Sequence, residues 1–295
     1  MLADLHRHLD GSLRPSTLAE LAARAGKRVP EDLMFKPGMG LDAALSRFAF
    51  ILQLIQHPAE VRRVAAEICE DAAAEGVTTL EIRFAPQLHR AAPIEAIVDA
   101  ALEGVAGRAG ILLCGLYGES PEQLDELVRI ASSRRGVVGI DLAGGPDPAH
   151  VFALRDYAGA FRRAAESGLG RTVHAGEGRP PQEIAEAVID LGAQRIGHGT
   201  TLNQDPRVLD LIIERGVIIE ACLTSNVHTG AIPSQEAHPL PTWVAAGVRV
   251  CICTDNTLLS GTCLRRELDF AARLLDEASF AQVVQSGHQA AFRRS

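Results

Sequence analysis

Eight short apolar, β-branched runs recur along the chain: residues 3–8 (ADLHRH), 77–84 (VTTLEIRF), 110–116 (GILLCGL), 137–142 (VVGIDL), 171–174 (RTVH), 195–198 (RIGH), 217–223 (VIIEACL) and 248–254 (VRVCICT). Each predicts a strand, and their nearly continuous apolar character predicts burial on both faces. The intervening stretches carry helical spacing. In "RPSTLAELAARAG", Leu18, Leu21, Ala22 and Ala25 fall on one face, Pro15 suits the first turn and Gly26 the stop. In "SPEQLDELVRIAS", Ser120 and Gln123 have capping-box spacing and Leu124, Leu127, Val128 and Ala131 form the apolar face. "PPQEIAEAVIDLG" repeats the pattern with Ile184, Ala187, Val188 and Leu191, stopped by Gly192. Alternating strands and helices predict a parallel sheet. Eight such units in 295 residues predict an α/β fold of the TIM type, a (β/α)8 barrel, as one domain over residues 1–295. An open, doubly wound sheet is the alternative, but no glycine-rich phosphate loop follows the first strand.

One connection is too long for this scheme. Residues 29–75 separate the first helix from the second strand and include the apolar stretch "LMFKPGMGLDAALSRFAFILQLI". Strand-to-helix loops build the sites of such barrels, so this segment is expected to lie over the barrel mouth as an apolar lid. The other reading has it packing a helix against the wall.

Candidate chemistry begins in the first strand. His6 and His8 are two residues apart, so on a strand they project side by side, whereas on a helix they diverge. Alone, the pair fits either a metal half-site or two hydrogen-bonded core histidines. The other strand ends change that balance. They read "FAPQ", "DLAGG", "HAGEG", "GHGT", "LTSN" and "CTDN", and they bring His174, His198 and Asp255 to the same rim. Imidazoles with a carboxylate suit zinc, which lowers the pKa of a bound water to roughly 7. Glu177, three residues beyond His174, is placed as a proton carrier rather than a ligand. These residues predict metal-assisted hydrolysis in a pocket beneath an apolar lid.

Six ordered motifs, "LHRHLDGSLRPSTLAELA", "GIDLAGGP", "HAGEG", "RIGHGT", "CLTSNVHTGA" and "CTDN", resemble those of the adenosine deaminase family of metal-dependent amidohydrolases. The resemblance implies one zinc per chain held by His6, His8, His174 and Asp255, with Glu177 protonating purine N1 and His198 orienting the attacking hydroxide. It also implies that the backbone of Gly144 meets N3 and that Asp10 meets the ribose 5′-hydroxyl. The implied reaction converts adenosine to inosine and ammonia. The chain departs from the family pattern at Asn256, where a second aspartate is usual, and at Gly145-Pro146, where an acidic pair is usual. Asn256 is expected to donate its amide N–H to purine N7. The chain also begins directly on its first strand.

Other substrates within the family are adenine, adenosine monophosphate and 5′-extended adenosines such as aminodeoxyfutalosine. Asp10 opposes a 5′-phosphate by charge. A two-metal hydrolase of lactones or phosphotriesters would use a mid-barrel bridging lysine, but the two lysines, Lys27 and Lys36, precede the second strand. A third reading is a non-catalytic, metal-stabilised purine-binding protein, against which Glu177 and His198 speak.

The formal charge is −8 and no basic run occurs, which argues against nucleic-acid and anionic-membrane partners. No apolar run approaches the ~20 residues of a membrane span. The six cysteines form no CxxC pair and read as reduced, packed thiols of a cytoplasmic protein. His57, His89, His150, His238 and His288 are expected at the surface or in packing, and His228 is expected near the rim. A small-molecule purine is the expected partner.

Overall fold

The structure is a computed structural model that describes residues 1–147 and 149–293. Its strands are β1 (Leu2–His8), β2 (Val77–Phe84), β3 (Gly110–Leu116), β4 (Val137–Ala143), β5 (Gly170–Ala175), β6 (Arg195–His198), β7 (Ile218–Ala221) and β8 (Arg249–Ile252). All pair in parallel in sequence order, from β1 next to β2 through to β7 next to β8. A parallel bridge between Arg7 and Asp255 joins the two ends. Two backbone bonds hold this seam: His8 N–H to Asp255 O at 2.8 Å, and Asp255 N–H to His6 O at 2.7 Å. The expected (β/α)8 barrel is therefore present, and its seam lies among the candidate ligands.

The helices are α1 (Pro15–Arg24), α2 (Leu41–Leu52), α3 (Pro58–Ala74), α4 (Ile94–Val105), α5 (Pro121–Ser132), α6 (Ala158–Glu166), α7 (Gln182–Ile189), α8 (Pro206–Arg215), α9 (Leu223–His228), α10 (Leu240–Ala245), α11 (Leu264–Leu274) and α12 (Glu277–Ala290). Outward strand residues such as Ile82, Phe84, Val173, Ile196, Ile219 and Val250 join the apolar helix faces in one continuous core. Local details depart from expectation. On α1, Ala25 is exposed and Thr17 is buried in its place, while Gly26 makes the left-handed stop with φ 64°. On α5 only half of the capping box forms: Ser120 Oγ accepts from Gln123 N–H at 3.4 Å, with no return bond from Ser120 N–H to the Gln123 side-chain oxygen.

The long connection after β1 divides in two. Helix α3 buries Val61, Val64, Ala65, Ile68 and Ala72 at helical spacing and belongs to the outer ring. The covering part is shorter than residues 29–75 and runs over Leu33 to α2. It is tied to loops beyond β7 and β8 by Phe35 N–H to Leu259 O (2.7 Å), Gly38 N–H to Val227 O (2.9 Å) and Met39 N–H to His228 O (2.9 Å). The segment thus divides between residues over the barrel mouth, such as Phe35 and Phe48, and a helix of the outer ring before β2.

The barrel axis is polar. Arg83 on β2 bonds Asp141 on β4 (3.0 Å) and Glu220 on β7 (2.9 Å). Arg195 on β6 pairs with Glu220 (2.7 Å) and with Glu81 on β2 (2.5 Å). Several of these strands are not neighbours, so the side chains meet inside the barrel. Phe292 covers the far mouth. Its ring lies 3.6 Å from the Arg195 guanidinium carbon, and its N–H donates to Glu81 at 2.6 Å. A side chain at Gly170 would place Cβ 2.1 Å from that ring, so glycine there makes room for it.

Candidate active site

His6 and His8 leave β1 on the same side, as the two-residue spacing requires. His8 Nε2 lies 3.3 Å from His6 Nε2 and 3.2 Å from His174 Nε2. Asp255 Oδ1 lies 3.6 Å from His6 Nε2 and 3.4 Å from His8 Nε2. A tetrahedral ion with bonds of about 2.0–2.1 Å needs ligand atoms about 3.3–3.4 Å apart. These four separations lie close to that edge length, and His6, His8 and His174 form the tightest group.

Carboxylates orient two of these imidazoles. Glu220 Oε2 stands 2.7 Å from His6 Nδ1, and Asp141 Oδ2 stands 3.1 Å from His174 Nδ1. Each accepts a proton on Nδ1 and leaves the Nε2 lone pair free for a metal. Burial, then the Arg83 charge, holds His6 well below the usual imidazole range, in the neutral form a metal needs. Burial alone would raise Asp141, but His174 and Arg83 outweigh it and keep the carboxyl well below its usual range.

The charge balance also favours a divalent cation. Arg83 and Arg195 face Glu81, Asp141, Glu220 and Asp255 on or beside the axis. Burial, then the charge of Glu177, pushes Asp255 up to about 7. A dication between Asp255 and the imidazoles would balance the excess carboxylates and reverse that shift. A second cluster, His198, Cys222 and Asp255, is less suited. Burial, then Asp255 and Glu220, raises the Cys222 thiol well above its usual range.

His198, the last residue of β6, and Asp255, three residues beyond β8, lie in the left-handed region, with φ 69° and 61°. That conformation is uncommon for residues with a side chain and recurs at functional sites. Strand β7 stops at Ala221 rather than reaching residue 223, because "LTSNVH" turns at once into α9. Strand β8 likewise stops short of residue 254, before the left-handed Asp255. Glu177 lies in the loop after β5, buried, with Oε2 3.6 Å from His198 Nε2. Thr200 fixes this loop, donating to Gly176 O at 2.8 Å and accepting from Gly178 N–H at 2.9 Å.

A cavity of about 50 Å³ lies over the cluster, lined by His8, His174, Glu177, His198, Asp255 and Asn256 and covered by Phe35, Leu41, Ala44, Leu45 and Phe48. A neighbouring groove of about 410 Å³ shares His8, Leu41, Leu45, Phe48 and Gly144 with it and reaches Asp10. Asp10 Oδ1 is buried without a partner, and burial pushes this carboxyl up to about 7. Gly144 adopts φ 81°, which exposes backbone to both spaces. Asn256 packs against Gly11, where a Cβ would lie 1.8 Å from its Oδ1, and that oxygen has no partner.

The structure thus brings His8, His174, Glu177, His198, Asp255 and Asn256 to one cavity, with His6 fully buried beside His8, Gly144 in the cavity wall and Asp10 in the adjoining groove. His228 packs against Phe35, ring centroids 6.3 Å apart, and does not line either space. Sequence reasoning did not single out Asp141, Glu220, Arg83 or Asn226. Their signal was a charged or amide group inside an apolar strand or directly after one. His238 and His89 are buried, in keeping with packing roles.

An eight-stranded parallel barrel with imidazoles and a carboxylate on its C-terminal rim has the architecture of a metal-dependent hydrolase. The family model described as adenosine deaminase matches residues 2–294, and the chain belongs to that family of hydrolases acting on C–N bonds. An adenosine deaminase of Shewanella halifaxensis is 34% identical over 311 aligned positions, covering 98% of this chain and 93% of the relative. One from Enterococcus faecalis is 35% identical over 283 positions, covering 90% of this chain and 83% of the relative. Among solved structures, adenine deaminase from Arthrobacter aurescens superposes with a TM-score of 0.89 at 25% identity, covering 100% of this chain and 94% of that one. Arabidopsis ADAL complexed with IMP gives 0.87 at 27% identity, covering 100% of this chain and 92% of that one. Among the described residues, no helix is long and apolar enough to cross a membrane.

Proposed function

We propose that the chain hydrolyses the 6-amino group of adenosine, giving inosine and ammonia, with one zinc held by His6, His8, His174 and Asp255. The observation that carries this reading is the 3.2–3.3 Å spacing of His8 from His6 and His174 and the 3.4–3.6 Å spacing of Asp255 from His8 and His6, backed by Glu220 and Asp141. Zinc, when bound, supplies an acidified water at neutral pH.

The chain's own residues do the rest. Glu177 delivers a proton to purine N1, which makes C6 electrophilic. His198 holds the attacking water oxygen beside C6. Addition gives a tetrahedral carbinolamine; its amino group takes a proton and leaves as ammonia, and the ring regains conjugation as inosine. Gly144 offers backbone to N3, and Asn256 offers an amide N–H to N7, an acceptor that an aspartate would have to be protonated to meet. Space of about 50 Å³ holds only one or two waters. The purine therefore enters as α2 or the Phe48 side chain withdraws, and the lid then excludes water again.

Adenosine is favoured over its monophosphate by the groove beside Asp10. Asp42 and Asp147 also line it, and among the described residues no lysine or arginine does. A 5′-phosphate there would meet carboxylates instead of guanidinium groups. Ammonia release from adenosine, adenine and adenosine monophosphate, measured on protein of known zinc content, tests the proposal. Adenosine should be turned over fastest; preference for the monophosphate would overturn the reading of the groove, and no release from any of the three would overturn deamination.

A further inference from the structure

His198 is held from behind by two residues that touch neither the cavity nor the candidate ligands. A backbone N–H can only donate, and Leu240 N–H donates to His238 Nδ1 at 3.1 Å. His238 is neutral in its buried place, so its proton is on Nε2. That Nε2 lies 3.3 Å from Asn226 Oδ1, which must accept. The Asn226 amide nitrogen therefore faces His198 and donates to its Nδ1 at 2.9 Å. With Nδ1 occupied as an acceptor, neutral His198 carries its proton on Nε2, the nitrogen that faces Glu177 and the cavity.

The parts of this chain are themselves fixed. Asn226 is fully buried within α9, its N–H bonded to Cys222 O (2.9 Å) and its carbonyl accepting from Ile232 N–H (3.0 Å). The His238 ring stands edge-on to Trp243, centroids 5.2 Å apart. An amide side chain could face His198 with either end, and only the end toward His238 decides which.

We propose that His238 and Asn226 are positioning residues that set the tautomer of His198, so that His198 presents an N–H donor and not a proton acceptor to the reacting oxygen. This rests on the deaminase reading of the site for its kinetic consequence, but the tautomer itself does not. The consequence is that His198 cannot remove a proton from the attacking water in its resting form. It holds that oxygen by donation, and the proton goes to Glu177, which lies beside it. One carboxylate then collects the water proton and supplies the one placed on N1, so the protons balance without a second base.

The test uses zinc-loaded enzyme labelled with ¹⁵N-histidine. His198 should show the pattern of a bare Nδ1 and a protonated Nε2, whatever the substrate proves to be. His238→Ala leaves Asn226 Oδ1 without its donor and frees the amide to turn over. Its His198 should become a tautomer mixture, and kcat for adenosine should fall roughly tenfold to a hundredfold, with KM changed by less than about twofold. His238→Gln can accept from Leu240 with its oxygen and donate to Asn226 with its nitrogen, so it should restore most of the loss. Protonated Nδ1 in the wild type would overturn the proposal. So would unchanged kcat in His238→Ala, or equal losses in the alanine and glutamine variants, since packing alone would explain those.

Discussion

Replacing Glu220 by glutamine separates the two duties that this carboxylate performs. One oxygen receives His6 Nδ1–H at 2.7 Å and Arg83 at 2.9 Å; the other meets Arg195 at 2.7 Å and the Thr172 hydroxyl at 3.1 Å. Glutamine keeps the shape but removes the charge and turns one acceptor into a donor. Removing one partner of a buried ion pair costs about 3–5 kcal/mol, because the other charge stays buried. Two guanidiniums lose their shared partner here, although Asp141 and Glu81 still balance part of their charge, so the lower end, about 3 kcal/mol, is expected. The metal should suffer separately. Loss of a carboxylate behind a metal-bound histidine weakens binding about 10–100-fold, roughly 1.4–2.8 kcal/mol.

Glu81→Gln provides the control. It breaks a comparable buried pair with Arg195 but does not touch a candidate ligand. Denaturant unfolding of metal-free protein should show both variants destabilised. Zinc affinity, measured by competition with a chelator, should fall in Glu220→Gln and stay near wild type in Glu81→Gln. Equal affinity losses would mean that the axis acts through global stability alone. An unchanged affinity in Glu220→Gln would refute the orienting role.

Three further outcomes follow from the same geometry. Glu177→Gln should retain zinc and lose about 10²–10⁴-fold in kcat, measured as ammonia release; full activity would remove Glu177 from the chemistry. Wild type should disfavour 7-deazaadenosine relative to adenosine by about 1–3 kcal/mol, and that gap should shrink in Asn256→Ala; an equal gap in both would mean that Asn256 does not meet N7. Burial, then the His198 charge, lowers His238 to about 4, against an ordinary value of about 6.5 when unfolded. The unfolded chain thus binds the extra proton between these values, so His238 contributes its full stability above pH ~6.5 and loses it as pH falls toward ~4, about 3 kcal/mol in all. As pH falls across that range, wild type should lose more stability than His238→Gln, which does not titrate there; parallel curves would show that His238 does not titrate this way.

Much of the fold was legible because the strands are buried on both sides and read as apolar runs. The candidate rim was legible because its residues sit at or just beyond strand ends, where histidines next to glycine stand out. The charged axis was not. Arg83, Asp141, Glu220 and Arg195 lie within apolar strands, and only closure of the barrel reveals that they neutralise one another. The extent of the lid was hidden for another reason: α2 and α3 are both amphipathic, and periodicity does not tell which surface each apolar face meets. His238 gave no local signal, since its importance depends on an amide 12 residues earlier. Asn256 was conspicuous as a departure, and Gly11 explains how it fits beside the first strand's "HLDG" turn.

On the proposed reading, adenosine deamination depends on a zinc held by His6, His8, His174 and Asp255. Metal analysis of active protein, followed by chelation and titration back with Zn²⁺ while ammonia release is recorded, tests it most directly. One zinc per chain is expected, with activity lost on chelation and restored as one equivalent returns, and with His174→Ala failing to recover. Activity that persists in metal-free protein, or that needs two ions per chain, would contradict it.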